Sequence, residues 1–102
     1  FGYAGGTSTL SFSATSDNAN GTYTASATGV LAGTATSVTA TVNGNAIPAT
    51  LPTITVSPGV ISAASSLVTV SSATVASGST VTLTLTARDA AGNSITSGGA
   101  TV

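Results

Sequence analysis

The chain has 102 residues, the size of one small domain, and its formal charge comes from one Arg and two Asp. Cys and His are absent, which excludes disulfides, thiolate metal sites, and the usual general base and metal ligand. A single cation cannot neutralise a run of phosphates, so nucleic-acid binding is excluded as well.

Charged residues make up 3% of the chain while 41% are hydrophobic, against about a quarter charged on an ordinary soluble surface. Such a chain lacks the repulsion that keeps monomers apart and reads as one surrounded by copies of itself. Apolar runs are only a few residues long, far below the ~20 of a membrane helix, so no membrane insertion is expected. No charged segment followed by an apolar one opens the chain, so no signal peptide is read in it.

Taken in order, residues 1–3 read as a strand already in progress, and Gly5-Gly6 punctuates it. Residues 8–14 alternate Leu10, Phe12 and Ala14 against serines, the pattern of a half-buried strand. Residues 16–21 form an Asx/Gly turn, and residues 22–28 alternate Tyr23, Ala25 and Ala27 against Thr and Ser. Residues 29–33 read as a short return. Residues 34–42 form a strand with Val38, Ala40 and Val42 on one face, and residues 43–45 a tight hairpin. Residues 47–56 are a strand whose Pro48 and Pro52 suit an edge.

A join follows. Residues 57–66 hold a Pro58-Gly59 break, then Val60, Ile61 and small residues, and they separate two strand-like segments. Beyond them, residues 67–75 form a strand and 76–79 a turn. Residues 80–88 set Val81, Leu83, Leu85 and Ala87 against threonines, and residues 89–93 form another turn. The chain ends on strand-like residues 100–102, and no helix is predicted.

The strand count and spacing are those of an all-β, seven-stranded sandwich in permuted order. The organisation predicted is residues 1–56 as the C-terminal half of one sandwich, 57–66 as an interdomain linker, and 67–102 as the N-terminal half of the next. Reach supports the division: residues 57–66 span at most ~35 Å at ~3.5 Å each, about the length of a sandwich. They could return to their own domain only if straight, whereas Pro58-Gly59 favours a turn. Neither half is large enough to hold alone without staples, and open sheet edges recruit strands. Each half-domain is therefore expected to be completed by a neighbouring copy. Either repeats are covalently joined in tandem, or separate subunits complement one another. Self-closure as a circular permutant is the third arrangement.

Read from residue 67 to 102 and on through 1 to 56, the chain resembles bacterial Ig-like repeats of invasin-type adhesins. The matching stretch is residues 80–93, a Thr/Val-rich strand ending in the turn Asp89-Ala90-Ala91-Gly92-Asn93. Residues 17–24, Ala32-Gly33-Thr34 and residues 42–48 are similar to filamin-type Ig repeats. Alternation carries across from Val102 to Phe1 only with one extra residue between them. The resemblance implies an Ig-like sandwich in circularly permuted register and an extracellular or cell-surface location.

Strand polarity would gather the turns at 16–21, 43–45 and 89–93 at one pole of the sandwich. Asp17 and Asp89 are the only carboxylates there for Ca²⁺, which takes ~6–8 oxygens, so the turn-forming reading of both is preferred and no cofactor is expected. Arg88 is placed to pair with Asp17 across that pole, with little energetic worth for an exposed pair. Asn20-Gly21-Thr22 is the sole glycosylation sequon, on an exposed turn, though such triplets arise readily by chance in a Thr-rich chain.

No base accompanies the Ser and Thr residues, so no enzyme is expected. The function read from these features is a structural repeat of an extracellular filament or adhesin stalk. Its assembly seam would lie at Pro58, Gly59, Val60 and Ile61, and its partners would be copies of itself. The alternative is an Ig-like carbohydrate- or receptor-binding module that takes glycans through Tyr3 and Tyr23.

Overall fold

The computed structural model describes residues 1–102 and is all-β, with only antiparallel pairing and no helix. The chain divides into two compact units, Phe1–Ser57 and Pro58–Val102.

The first unit contains β1 (Gly2–Ala4), β2 (Thr9–Phe12), β3 (Ser16–Asp17), β4 (Tyr23–Thr24), β5 (Ala27–Leu31), β6 (Thr36–Thr39), β7 (Thr41–Val42), β8 (Asn45–Ala46) and β9 (Thr53–Ile54). Its main sheet runs β1-β6-β9. In it Tyr3 stands opposite Val38 and Thr36 opposite Ile54, so the apolar alternation falls on one face. The second layer is one long interrupted hairpin. β2 pairs with β5, β3 pairs with β4, and a bulge lies between Thr9 and Leu10.

The two layers meet where Tyr3 tilts against Phe12, with ring centroids 6.3 Å apart. They meet again at Gly29, where an added Cβ would collide with the Val56 side chain. Gly29 is opposite Leu10 in the ladder, so Leu10 lies on this inner face, and Leu10 is the single buried hydrophobic residue. Buried Ser8 and Thr36 tie the loops instead: Val56 N–H donates to Ser8 Oγ at 3.0 Å, and the Thr36 hydroxyl donates to the Gly5 carbonyl at 2.7 Å.

In the second unit β10 (Leu67–Val70) and β11 (Leu83–Thr86) form a two-stranded ladder. Its register sets Val68 opposite Leu85 and Val70 opposite Leu83, which gathers four aliphatic side chains on one face. Beyond β11, isolated bridges join Ile61 to Asp89 and Arg88 to Ser94.

Several elements differ from the sequence reading, each for a local reason. The return expected at 29–33 is in part strand, because β5 continues through Gly29 and Val30 to Leu31 in register with β2. The single strand expected at 22–28 is two pieces, since the long hairpin shifts register between β3-β4 and β2-β5. Residues 47–56 form a ladder only at Thr53 and Ile54. Pro48 and Pro52 lack the N–H a longer ladder needs, although the Pro52 carbonyl still accepts from Val38 N–H at 2.8 Å. The tight hairpin at 43–45 is present as β7-β8, with Asn43 and Gly44 both at positive φ (52° and 82°), the backbone of a two-residue turn that suits strand twist.

Candidate assembly surface

Burial inverts the usual order. The buried residues are Leu10, Ser8, Thr36 and Asp89, three of the four polar, in a chain rich in aliphatic side chains. A folded monomer of 9.5 kDa exposes about 5,000 Å², and two independent domains sharing that mass would expose about 6,100 Å². This chain exposes 7207 Å². The excess, about 1,100–2,200 Å², is of the size that specific protein interfaces remove from water.

The uncovered apolar surface is concentrated rather than scattered. On the ladder face of the second unit, Leu83 is 68% exposed, Val68 63% and Val70 53%, and Leu85 is also exposed. Val68 and Leu85 open into a groove of about 310 Å³ that Ile61, Ala87, Ala100 and Val102 also line. In the first unit, Phe1, Tyr23, Val42 and Ile47, all exposed, line an open groove of about 410 Å³. Exposed faces of this extent mark interaction surfaces in soluble proteins.

Asp89 organises the seam. Its Oδ1 accepts the N–H groups of Ala91 and Asn93 at 3.0 and 2.8 Å. Its Oδ2 accepts Asn93 Nδ2 at 2.9 Å and Gly59 N–H at 2.8 Å. The Asn93 amide foremost, then the Gly59 N–H, hold this carboxyl down to about 2 from an ordinary 3.8. The carboxylate thus closes its own turn and fastens the Pro58-Gly59 break to it. Residues 58–66 accordingly belong to the second unit, where Ser62 N–H also donates to the Arg88 carbonyl at 2.7 Å. Of the other seam residues, Ile61 is bridged to Asp89 and Val60 is 88% exposed.

The remaining sequence candidates fall in both units. Asp17 lies in the first unit and Asp89 in the second, and Asp17 Oδ1 accepts Ala19 N–H at 2.8 Å as a turn former does. The pairing expected between Arg88 and Asp17 links residues of different units, and the Arg88 Nε is buried without a hydrogen-bond partner. Asn20 is exposed, with Oδ1 accepting both the N–H and the hydroxyl of Thr22 at 3.1 and 2.7 Å. Tyr3 packs on Phe12, while Tyr23 stands in the groove with Phe1.

Sequence reasoning weighed Asp89 for metal and missed its bond to Gly59. The available signal was a carboxylate opening a D-x-x-G-N turn soon after a Pro-Gly break. It also missed Ser8 and Thr36, which look like any other outward Ser or Thr. Comparison of the chain with family models, curated proteins and solved structures returned no match.

Proposed function

We propose that this chain is a structural repeat or subunit of an extracellular filament or adhesin stalk. In this reading each unit is half of an Ig-like seven-stranded sandwich, completed by the complementary half of a neighbouring copy. The observation that carries the reading is the apolar face of Val68, Val70, Leu83 and Leu85, left in solvent on a ladder with no core of its own.

The first unit supports it from the other side. It is a three-stranded sheet facing a hairpin, with an open apolar groove and one buried aliphatic residue. Two-stranded ladders are marginal in water and need a further layer, which the other half supplies. Because the halves lie in sequence, each copy accepts one neighbour and donates to another, a head-to-tail arrangement that propagates rather than closes. Low charge and outward threonines suit surfaces that lie against other chains.

The test is mass under two conditions. A denatured mass of 9.5 kDa, with large species or fibres in native buffer, is expected for separate subunits, and a ladder or giant denatured chain for tandem repeats. A native, monodisperse monomer with cooperative unfolding would sink the reading.

A second reading, a glycan-binding module, is favoured by the groove that sets Phe1 and Tyr23 beside Thr15, Thr41 and Asn43, aromatic faces next to hydrogen-bonding groups. Saturable binding on a glycan array by a monomeric chain would select it.

A further inference from the structure

We infer that β11 of one copy adds, antiparallel, to the open edge of β5 in a second copy, building an antiparallel sheet shared by two copies in the order β10-β11-β5-β2. This deepens, and rests on, the proposed assembly of copies.

The first argument is which backbone groups are unspent. In the second unit Ser71 N–H donates to the Thr82 carbonyl, so Thr82, Thr84 and Thr86 direct their backbone groups at β10. Leu83 and Leu85 therefore direct theirs the other way. Ala87, next in that series, accepts Ile95 N–H on that side, and beyond it the edge is open. In the first unit Ser13 N–H donates to the Ser26 carbonyl, so Ser26 and Thr28 face β2. Ala27 and Gly29 face away from it, along a strand exposed over its whole length.

The second argument is parity. Leu83 and Leu85 project onto the apolar face shared with Val70 and Val68. Ala27 and Gly29 project onto the inner face shared with Phe12 and Leu10. On both strands, then, the residues with unspent backbone groups are those whose side chains face the core. Joining the two edges extends the inner face of one copy with the apolar face of the other. Had either parity been reversed, every aliphatic side chain would have landed on the wrong side.

The third argument is bulk. Gly29 and Ala27 bring almost no side chain of their own to that edge, where Val56 packs over Gly29, and the incoming strand brings the two leucines, the larger half of the β10-β11 face. The alternative edge of that layer, β2, already carries Leu10 and Phe12, with Phe12 against Tyr3. On the opposite sheet, β9 pairs through only Thr53 and Ile54 beside Pro52, and β1 runs into Gly5-Gly6. The occupant is a second copy because the area left exposed, about 2,200 Å² beyond a folded monomer's and about 1,100 Å² beyond that of two independent domains, is what joining two halves would bury.

The natural chain has no Cys, so single substitutions report cleanly. Thr28, on the outer side of β5, would lie beside Thr84 of the incoming β11 at a Cα separation near ~4.5 Å, within disulfide reach, since a register at Thr86 would set Ala27 against Ala87, whose carbonyl already accepts Ile95 N–H. Chains carrying Thr28→Cys are mixed with chains carrying Thr84→Cys, oxidised, and run without reductant. The expected result is loss of monomer to a covalent heterodimer in this mixture. Mixtures of Thr28→Cys with Thr69→Cys, and of Ser11→Cys with Thr84→Cys, are expected to stay uncoupled.

Coupling at Thr69 or Ser11, or coupling nowhere in a chain that still assembles, overturns the edge assignment and leaves the assembly reading standing. Failure of the natural chain to assemble at all overturns both. A doubly substituted Thr28→Cys/Thr84→Cys chain that closes on itself as a monomer at high dilution overturns the second copy as occupant.

Discussion

The two units solve the same problem, a shortage of core, in different ways. The first has two layers and one aliphatic side chain sealed between them, with Ser8 and Thr36 anchoring loops by buried hydrogen bonds. The second has one layer, and its only buried residue is a carboxylate. In the first, apolar contact has begun and is incomplete. In the second, a polar staple at Asp89 holds the backbone in place while the apolar face waits uncovered. Hydrogen bonds hold the strand pair in place without spending its hydrophobic surface, which is the surface the proposed assembly would use.

The largest expected effect comes from the waiting face. Leu83→Asp places an unpaired carboxylate where a partner would cover it, costing several kcal/mol. It should abolish assembly by sedimentation, while Thr84→Asp, on the opposite face of the same strand, should change stability by no more than about 0.5 kcal/mol. Equal effects would mean that β11 is covered on both faces, and the contrast between an apolar and a threonine side would fall.

Next is the face already in use. Leu10→Ala removes the sealed side chain of the first unit and should cost about 2–5 kcal/mol, toward the low end because the surrounding layer is free to collapse. Denaturant unfolding followed by Tyr fluorescence would measure it. A loss under about 0.5 kcal/mol would show that the buried hydrogen bonds, rather than Leu10, hold the two layers.

Smaller again is the acid response of the staple. Because the Asp89 carboxyl titrates lower in the fold than its ordinary 3.8, its contribution is present in full above that value and is lost as pH falls through about 2. Asp89→Asn should flatten that part of the stability profile and speed amide exchange at Gly59. An unchanged acid profile in the variant would place the pH dependence elsewhere.

How far the sequence carried follows from which forces are local. Strand alternation within 80–88, realised as a ladder at Leu83–Thr86, and the Asn43-Gly44 turn are written in neighbouring residues and were legible. The continuation of β5 through Gly29 was not, because glycine reads as a return unless one knows that Val56 presses on it from the facing layer. The bond from Gly59 to Asp89 spans thirty positions and no local pattern announces it. The parity of the two open edges needed the register of both ladders, which sequence alone leaves free to slip.

The smallest expected effect is that of a chelator, which should leave assembled material unchanged in mass and length. A structural cation would need several oxygens converging at one place. Here each carboxylate already accepts backbone N–H groups: Asp17 from Ala19 in its own turn, and Asp89 from Ala91 and Asn93 in its turn and from Gly59 thirty residues away. A cation at Asp89 would have to displace four hydrogen bonds and loosen the seam it was meant to stiffen. Electron micrographs before and after EDTA are the check. Shortened or flexible fibres that recover on adding Ca²⁺ would mean that association brings Asp17 of one copy to Asp89 of another. The staple would then be the resting state of a metal site completed only in the assembly.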